Sequence, residues 1–298
     1  AQAYGESVPL VAFPAGYDQS NNDTDPKFSS LVNYQQISKS CEQLTDADAV
    51  AETVRRAFSA ARSGRPRPAV VEVPKDVFYH EVEPFDYTPG ATSRPGADPA
   101  AVSEAVDRLL DAERPVIYAG QGVHYAEGWD ALQSLAELTE APVATSLNGK
   151  SAFPETHRLS LGAGSKSEPG QLAHFLDECD LLFGVGTSFT DTAYGITVPT
   201  DNTVVHSTLD ATDVNKDVEA DHAVLGDAKL VLEAMVDEVE TRLDGPRGRA
   251  DDVAAEIAEV KRAWLDEWRP KLESDETPIN PYRVIDELTN VVDASEAI

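Results

Sequence analysis

The sequence predicts an α/β fold with a doubly wound parallel sheet of six strands. Two apolar runs, residues 180–185 and 203–209, are short and bounded by turn-forming residues, which is typical of buried parallel strands. Such runs alternate along the chain with stretches of helical periodicity, and this alternation predicts right-handed crossovers. The runs end in glycine or polar residues, and open α/β sheets bind ligands at the carboxyl ends of their strands.

The first part of the chain has too few elements to close a hydrophobic core alone. We predict a strand within residues 7–15 and another over residues 69–73. Residues 44–63 carry an apolar stripe at helical spacing, with Thr45 as the predicted N-cap and Gly64 suited to the position after the helix.

A second unit is predicted after residues 79–98, whose prolines and polar residues are typical of an interdomain linker. Its first helix has Asp98 as predicted N-cap and Pro99 at the first helical position. Its predicted strands are residues 115–119, 141–146, 159–164, 180–185, 203–209 and 223–225. Its predicted helices are residues 99–112, 129–139, 171–177, 227–243 and 251–268, with a last helix capped by Asn280.

The charge balance is strongly acidic, with 24 Lys and Arg against 53 Asp and Glu and a net charge of −29. Such a surface repels phosphate backbones and anionic lipid, which argues against nucleic-acid and membrane-surface roles. The acids are spread along the whole chain, and we interpret this as a halophilic protein whose self-repulsion is screened by salt. The alternative is an ordinary acidic cytosolic protein.

Two cysteines, Cys41 and Cys179, are far apart and form no CxxC pair, which fits a reducing, cytoplasmic compartment. The six histidines show no metal-ligand spacing, so no metal site is predicted. No apolar run approaches the ~20 residues that span a bilayer. The first residues lack a start Met and a charged signal region, and we expect the chain to be the central part of a longer one.

Several segments resemble one enzyme family, in chain order. SGRPRPAVVEVPKDV (residues 63–77) is similar to the end of the pyrimidine-binding domain of thiamine-diphosphate enzymes of the acetolactate synthase and pyruvate oxidase group. Similar to the middle domain of that family are RPVIYAGQGV (114–123), APVATSLNGKSAFPETHRLSLG (141–162), DLLFGVGTSFTD (180–191) and VVHSTLDATDVNKDVEADHAVLGDAK (204–229). INPYRVIDEL (279–288) is similar to the helix that opens its diphosphate-binding domain.

The resemblance implies four parts. Residues 1–78 would be the C-terminal half of the pyrimidine-binding domain, 79–98 a linker, 99–245 a Rossmann-like middle domain, and 246–298 a connecting helix with the start of the diphosphate-binding domain. The fold class implied is therefore a six-stranded middle domain flanked by partial α/β thiamine-diphosphate-binding domains.

The resemblance also implies the chemistry of the parent protein. Family members use thiamine diphosphate and Mg²⁺ to decarboxylate a 2-keto acid and pass the acyl unit on, and the coenzyme does the chemistry. Their active site forms between two subunits, which implies a homodimer or tetramer.

The residues by which the family holds its coenzyme are not found in this sequence. The activating Glu would precede Ala1, and the Gly-Asp-Gly segment would follow Ile298; the sequence contains no Gly-Asp-Gly. We therefore expect these residues alone neither to bind thiamine diphosphate nor to catalyse a reaction, and we assign no catalytic residue to them.

A set of small and polar residues at the predicted strand ends matches turns that hold FAD in acetolactate-synthase-like members, and ADP or nothing in others. In this sequence they are Gly120, Gly122, Thr145, Gly162, Gly164, Gly186, Thr187, Ser188, Asp210 and Asp227. Glycine lets backbone N–H groups approach a pyrophosphate, although no GxGxxG is present. FAD-binding relatives carry Arg-Phe-Asp-Asp-Arg where this chain has SFTDT (188–192), so an empty site is the alternative.

Lys39 falls where the family often has a Lys near the mouth of the active site, and the alternative is a surface Lys. Two other classes of function stay open. One is a Rossmann-like nucleotide-binding module, such as an NAD-dependent deacylase or a flavoprotein, and the other is a non-catalytic scaffold. The resemblance at both flanks of the middle domain favours the thiamine-diphosphate enzyme over the nucleotide-binding module.

Overall fold

A computed structural model describes residues 1–21, 25–199 and 201–293. The chain divides into two compact units, Ala1–Pro95 and Gly96–Ile298. Each unit contains its own parallel sheet. The finer, four-part division expected from the sequence stays a prediction.

The first unit is a small sheet with helices. Its helices are α1 (Gln2–Gly5), α2 (Ser30–Tyr34), α3 (Val50–Arg62) and α4 (Lys75–Phe78), and its strands are β1 (Val11–Ala12), β2 (Ala15–Gly16), β3 (Ser40–Gln43) and β4 (Ala69–Pro74). Strands β1, β2 and β3 all pair in parallel with β4, which is therefore central. Thr53, Ala57 and Ala61 of α3 are buried, and both alanines belong to the unit's hydrophobic core.

Two expectations for the first unit were wrong in detail. The helix predicted from Thr45 begins only at Val50, because a 3₁₀ turn precedes it and the carboxylate of Asp46 caps that turn by accepting the Asp48 N–H at 3.0 Å. Strand β3 was not predicted, because its residues are polar and only partly buried and show no apolar alternation.

The second unit contains the predicted six-stranded sheet. Its strands are β5 (Pro115–Ala119), β6 (Val143–Ser146), β7 (Ser160–Gly164), β8 (Leu181–Val185), β9 (Thr203–Thr208) and β10 (His222–Leu225). The order across the sheet is β10-β9-β8-β5-β6-β7, and every pairing is parallel. The predicted doubly wound parallel sheet is therefore confirmed.

Helices cover both faces of this sheet. The helices of this unit are α5 (Pro99–Asp111), α6 (Gly122–Ala126), α7 (Trp129–Thr139), α8 (Gly170–Glu178), α9 (Ala228–Arg242), α10 (Ala250–Leu272) and α11 (Pro281–Val291), and the last of them contacts α10 and has no buried residue. Along β5, Ile117 and Ala119 enter one hydrophobic core and Val116 and Tyr118 enter the other, so alternate side chains serve opposite faces. All five residues of β5 are buried, as expected for a strand in the middle of a doubly wound sheet.

Helix caps agree with the sequence. Asp98 accepts the Ala100 N–H at 2.9 Å with Pro99 at the start of α5, and Asn280 accepts the Tyr282 N–H at 3.0 Å at the start of α11. Gly64 adopts a φ of +55°, as required just after α3. These local signals were readable because a cap involves only neighbouring residues.

Helix α10 packs on α8 through apolar and ionic contacts. Trp264 lies against Gly170, where a Cβ atom would come within 2.6 Å of the indole. Arg114 donates to Glu256 at 2.7 Å, and the same carboxylate oxygen lies 2.7 Å from His174 Nε2. Trp264 of α10 thus packs on this unit.

We expect Glu256→Gln to lower the stability of this unit by about 1 kcal/mol at neutral pH. The hydrogen bond from Arg114 holds the pKa of Glu256 below its usual value. The ionic contribution is thus present above the ordinary carboxyl pKa and is lost as the pH falls through the lowered one. Thermal melting of the two proteins across pH should converge in acid. Glu233→Gln, which removes only a 4.0 Å exposed pair with Lys229, is the matched control.

Among the described residues, no helix has both the length and the apolar character needed to cross a membrane. Cys41 and Cys179 are both free thiols. Burial raises the pKa of the Cys179 thiol to about 11. Cys179 is therefore a protonated core residue.

Candidate functional site

The order of strands reverses between β5 and β8, because β6 and β7 follow on one side of β5 and β9 and β10 continue on the far side of β8. In doubly wound sheets this switch point is where two turns diverge and leave a crevice for a ligand. Here the two turns carry Gly120 and Gly122 after β5, and Gly186 after β8. The structure thus brings three of the predicted site residues together.

These two turns are bonded to each other. The Gly120 N–H donates to Val185 O at 2.9 Å, and the Gly122 N–H donates to Gly186 O at 2.8 Å. The Gly186 N–H donates to Ser207 O at 3.0 Å in the next strand. The backbone N–H groups expected to face a pyrophosphate are therefore used by neighbouring carbonyls.

Close approach of the backbones explains why these positions are glycine. A Cβ atom at Gly122 would lie 2.7 Å from Gly186 Cα, and one at Gly186 would lie 2.7 Å from Val123 N. Gly186 also has a φ of +61°, which side chains rarely adopt. The glycines fit a tight joint between β5 and β8.

The turn after β8 is closed by its own aromatic residue. Phe189 is 7% exposed, its ring stacks on Tyr118 at 5.9 Å between centroids, and it lies 4.9 Å from the His206 ring. Thr187 Oγ1 accepts the Phe189 N–H at 3.2 Å, and the Ser188 and Thr190 hydroxyls are 2.8 Å apart. Thr187 and Ser188 thus shape the turn.

Lys216, which the sequence did not single out, supplies a cation to this turn. Its Nζ donates to Thr190 Oγ1 at 2.7 Å and lies 3.4 Å from Ser188 O. Asp213 and Asp217 lie 3.4 and 3.7 Å from the same nitrogen, so they offset its charge. No sequence signal marks Lys216, since it is one lysine in an acidic loop and meets the turn only through the fold.

The two predicted acidic site residues cap backbone N–H groups. Asp210 Oδ1 accepts the Thr212 N–H at 3.1 Å at the start of a 3₁₀ turn. Asp227 is 7% exposed and accepts the N–H groups of Lys229 and Leu230 at 3.1 and 3.3 Å, at the start of α9. Asp227 follows β10, at the far edge of the sheet, so it does not meet the glycines of the switch point.

Thr145, Gly162 and Gly164 lie on β6 and β7, on the other side of β5. Thr145 is 3% exposed, and its hydroxyl has no hydrogen-bond partner within the described part of the chain. A Cβ atom at Gly164 would overlap Leu172, so this glycine is needed for packing of α8. Gly162 has a φ of +85°.

Lys39 lies at the amino end of β4. It precedes β3, its N–H donates to Pro68 O at 2.7 Å, and its Nζ donates to the carbonyls of Ser63 and Arg65, the latter at 3.0 Å. Ligands of parallel sheets lie at the carboxyl end. That Lys39 lies near the mouth of an active site stays a prediction. In this structure its ammonium group bonds to carbonyls of the segment that follows α3.

One cluster has the donor set of a metal site. Ligand atoms of His174, Glu178 and Glu256 all lie within 4.8 Å of one another. Arg114 Nη2 is 3.0 Å from Glu178 and 2.7 Å from Glu256, so one guanidinium already pairs with both carboxylates. The cluster therefore forms an ion-pair network between α8 and α10, and the absence of a metal site stays a prediction.

Three titratable groups near the strand ends are shifted by burial. Desolvation raises the pKa of Tyr118 and of Glu168, and it lowers the pKa of His206. In each of the three groups burial shifts the pKa in the direction that favours the neutral form. Tyr118 and His206 contact the Phe189 ring directly.

Comparison with known proteins matches the six-stranded sheet to one protein family. Residues 102–235 match the sequence model of the family described as "Thiamine pyrophosphate enzyme, central domain". A probable acetolactate synthase large subunit of Methanocaldococcus jannaschii is 30% identical over 98% of this chain and 50% of that protein.

Two further relatives also match most of this chain. An acetolactate synthase large subunit of Parasynechococcus marenigrum is 34% identical over 96% of this chain and 47% of that protein. A glyoxylate carboligase of Escherichia coli is 31% identical over 85% of this chain and 43% of that protein. The chain thus spans about half the length of the curated relatives it matches.

Proposed function

Because this chain belongs to the thiamine pyrophosphate enzyme family, we propose that its protein is a thiamine diphosphate-dependent enzyme that decarboxylates a 2-keto acid and transfers the acyl unit, as an acetolactate synthase does. The observation that carries this proposal is the match of residues 102–235, which fall on the six-stranded unit. The names of the relatives favour acetolactate synthase over other activities of the family.

The described residues do not fit thiamine diphosphate with Mg²⁺. The triplet that most nearly matches Gly-Asp-Gly is Gly226-Asp227-Ala228, and the Asp227 carboxylate is buried and caps α9. It is therefore not free to hold a metal ion. We derive no catalytic step from these residues and propose that they supply a rigid scaffold.

The activity is tested on the complete gene product. With thiamine diphosphate, Mg²⁺ and pyruvate we expect release of carbon dioxide and formation of acetolactate. Glyoxylate is the comparison substrate, because one relative is named as a carboligase of glyoxylate. No turnover of either 2-keto acid would contradict the proposed class, and turnover of glyoxylate alone would replace the proposed substrate.

For the 298 residues alone, we expect no saturable heat on calorimetric titration with thiamine diphosphate and Mg²⁺. The physical reason is that Asp227, in the triplet that most resembles the family motif, is used as a helix cap. Asp227→Asn, which keeps an oxygen for the cap, should leave this result unchanged. Binding in the micromolar range would show that another set of residues holds the coenzyme.

We propose FAD or ADP as the ligand class for the outer part of the strand ends, around Thr187, Ser188 and Lys216. Support comes from the hydroxyl groups and the Lys216 ammonium group that meet there. The amides of Gly120, Gly122 and Gly186 donate to neighbouring carbonyls, so a pyrophosphate would have to use other groups of these turns. Flavin absorbance that remains after purification would support FAD, and a colourless protein that does not bind ADP would contradict the site.

A homodimer or tetramer in the cytoplasm is proposed for the complete protein. The oligomer is proposed from the family resemblance, because the active site of family members forms between two subunits. The compartment follows from the two unpaired cysteines. Sedimentation analysis of the complete gene product would test the first proposal, and a stable, active monomer would contradict it.

A further inference from the structure

Phe189 holds an unusual backbone conformation. Its φ is +44°, in the left-handed region that is unfavourable for a residue with a side chain. The ring is nevertheless well packed, at 7% exposure between Tyr118 and His206. The packing of the ring therefore maintains a turn that would relax if the ring left its place.

The Phe189 ring fills a space between Tyr118 and His206, which we call the slot. This space exists because residue 184 of β8 is glycine. A Cβ atom at Gly184 would overlap the Phe189 ring. Tyr118 on β5 and His206 on β9 lie in the same hydrophobic layer and contact the ring. The slot opens at the carboxyl ends of the strands, on the side where this fold binds ligands.

His206 joins the slot to the turn. It is 1% exposed, and its Nε2–H donates to Thr187 O at 3.0 Å. Tyr118, on β5, is the titratable group that shares the slot with it. The charged groups acting on its ring are Asp213 and Lys216 from the loop after β9, and their effects oppose each other.

Two outer contacts pin the turn. Lys216 donates to Thr190 Oγ1 at 2.7 Å, and the Asp191 N–H donates to Asp217 Oδ2 at 3.2 Å. Both of these contacts come from the loop after β9, and Lys166 Nζ, from the segment after β7, lies 3.2 Å from Asp191 Oδ1. The turn is therefore held from inside by the Phe189 ring and the His206 hydrogen bond, and from outside by side chains of two loops.

We propose that residues 187–191 form a pH-sensitive gate in which the Phe189 ring closes the slot while His206 is neutral and leaves it when His206 is protonated. A protonated imidazole carries N–H groups on both ring nitrogens. The second N–H would lie in a site that is 1% exposed and lined by the Phe189 ring, and departure of that ring admits water that solvates it.

The direction of the pH dependence follows from burial. Desolvation lowers the pKa of His206, so the open turn takes up a proton at a higher pH than the closed turn does. The closed turn is most stable above the ordinary histidine value of 6.5 and loses stability as the pH falls towards the lowered pKa. The population of the open turn therefore rises as the pH falls.

Hydrogen exchange tests the gate in the full 298-residue chain. We compare the amides of Phe189 and Asp191 at about pH 8 and about pH 5.5, a range that brackets histidine titration. After correction for the intrinsic exchange rate, we expect their protection to fall several-fold in acid. Protection of amides in α9, away from the turn, should stay constant.

Two variants test whether the pH dependence of amide protection comes from His206. His206→Gln keeps a neutral donor for Thr187 O and removes the titration, so the pH effect should vanish. His222→Gln is the matched control, because His222 Nε2–H donates to Ala101 O at 2.8 Å on another strand. The control should keep the full effect.

The wild-type result alone can overturn the gate, even if His206→Gln fails to fold. Equal corrected protection of Phe189 and Asp191 at both pH values would do so. A pH effect that persists in a folded His206→Gln protein would overturn it as well. NMR titration of the His206 ring gives a second readout, and its protonation without any shift of the Phe189 ring signals would contradict the coupling.

Discussion

We expect Gly120→Ala to lower the free energy of unfolding of the six-stranded unit by about 3 kcal/mol. The new methyl group would meet Gly186 O and lie 2.7 Å from Thr187 Cα, and both atoms belong to the backbone. Backbone atoms cannot rotate away as a flexible side chain does. Relief therefore requires β5 and β8 to separate at their ends, which breaks the bonds from Gly120 and Gly122 across the joint.

Gly96→Ala is the matched control, because Gly96 belongs to the same unit and a Cβ atom there meets nothing within 4 Å. Urea unfolding of both variants gives the comparison. Equal stability of the two would show that the joint is looser than the structure has it. If the glycine served only a nucleotide, Gly120→Ala would weaken ligand binding and leave the ligand-free protein unchanged.

The strands of the second unit were predictable because each carries its own signal. Residues 115–119 and 181–185 are apolar throughout, and glycine or polar residues bound them. Strand β3 has no such signal, since its four polar residues gain their place only by pairing with β4. The order of the predicted strands along the chain, and their alternation with predicted helices, then predicted the doubly wound fold class.

Gly120, Gly122 and Gly186 follow strands as the sequence predicts, whereas Thr145 and Gly162 lie within strands, and the partners of these residues were not predictable. A glycine that meets a phosphate and a glycine that meets another backbone look alike in sequence. Gly122 meets Gly186 across a large chain separation, and only the fold brings them together. The same holds for Lys216, which reaches the Ser188 turn from a loop after a different strand.

Polar residues at helix starts raise a similar ambiguity. Asp210 and Asp227 were predicted as ligand residues because each follows a strand, and each also stands where an N-cap is favourable. The structure shows the capping contacts. Binding of a ligand by either carboxylate stays a prediction, and local sequence cannot choose between the two uses.

Removal of salt is expected to destabilise the protein strongly. The chain has 53 acidic residues against 24 Lys and Arg, so attractive pairs such as Arg114–Glu256 cannot balance the repulsion among the remaining acids. The Debye length grows from about 3 Å at 1 M salt to about 30 Å at 0.01 M. Repulsion that is confined to neighbours in high salt then acts across the whole molecule.

Melting followed by circular dichroism across a KCl series measures this effect, and we expect the melting temperature to fall steadily with dilution. Sucrose in place of KCl is the first control, because it favours compact states without screening charge. The second is Glu259→Gln with Glu267→Gln, two exposed acids on α10. Their removal reduces the net negative charge, so the slope against salt should become shallower. A melting temperature that is the same from molar to millimolar KCl would contradict the halophilic interpretation, since self-repulsion of this size has no other means of relief.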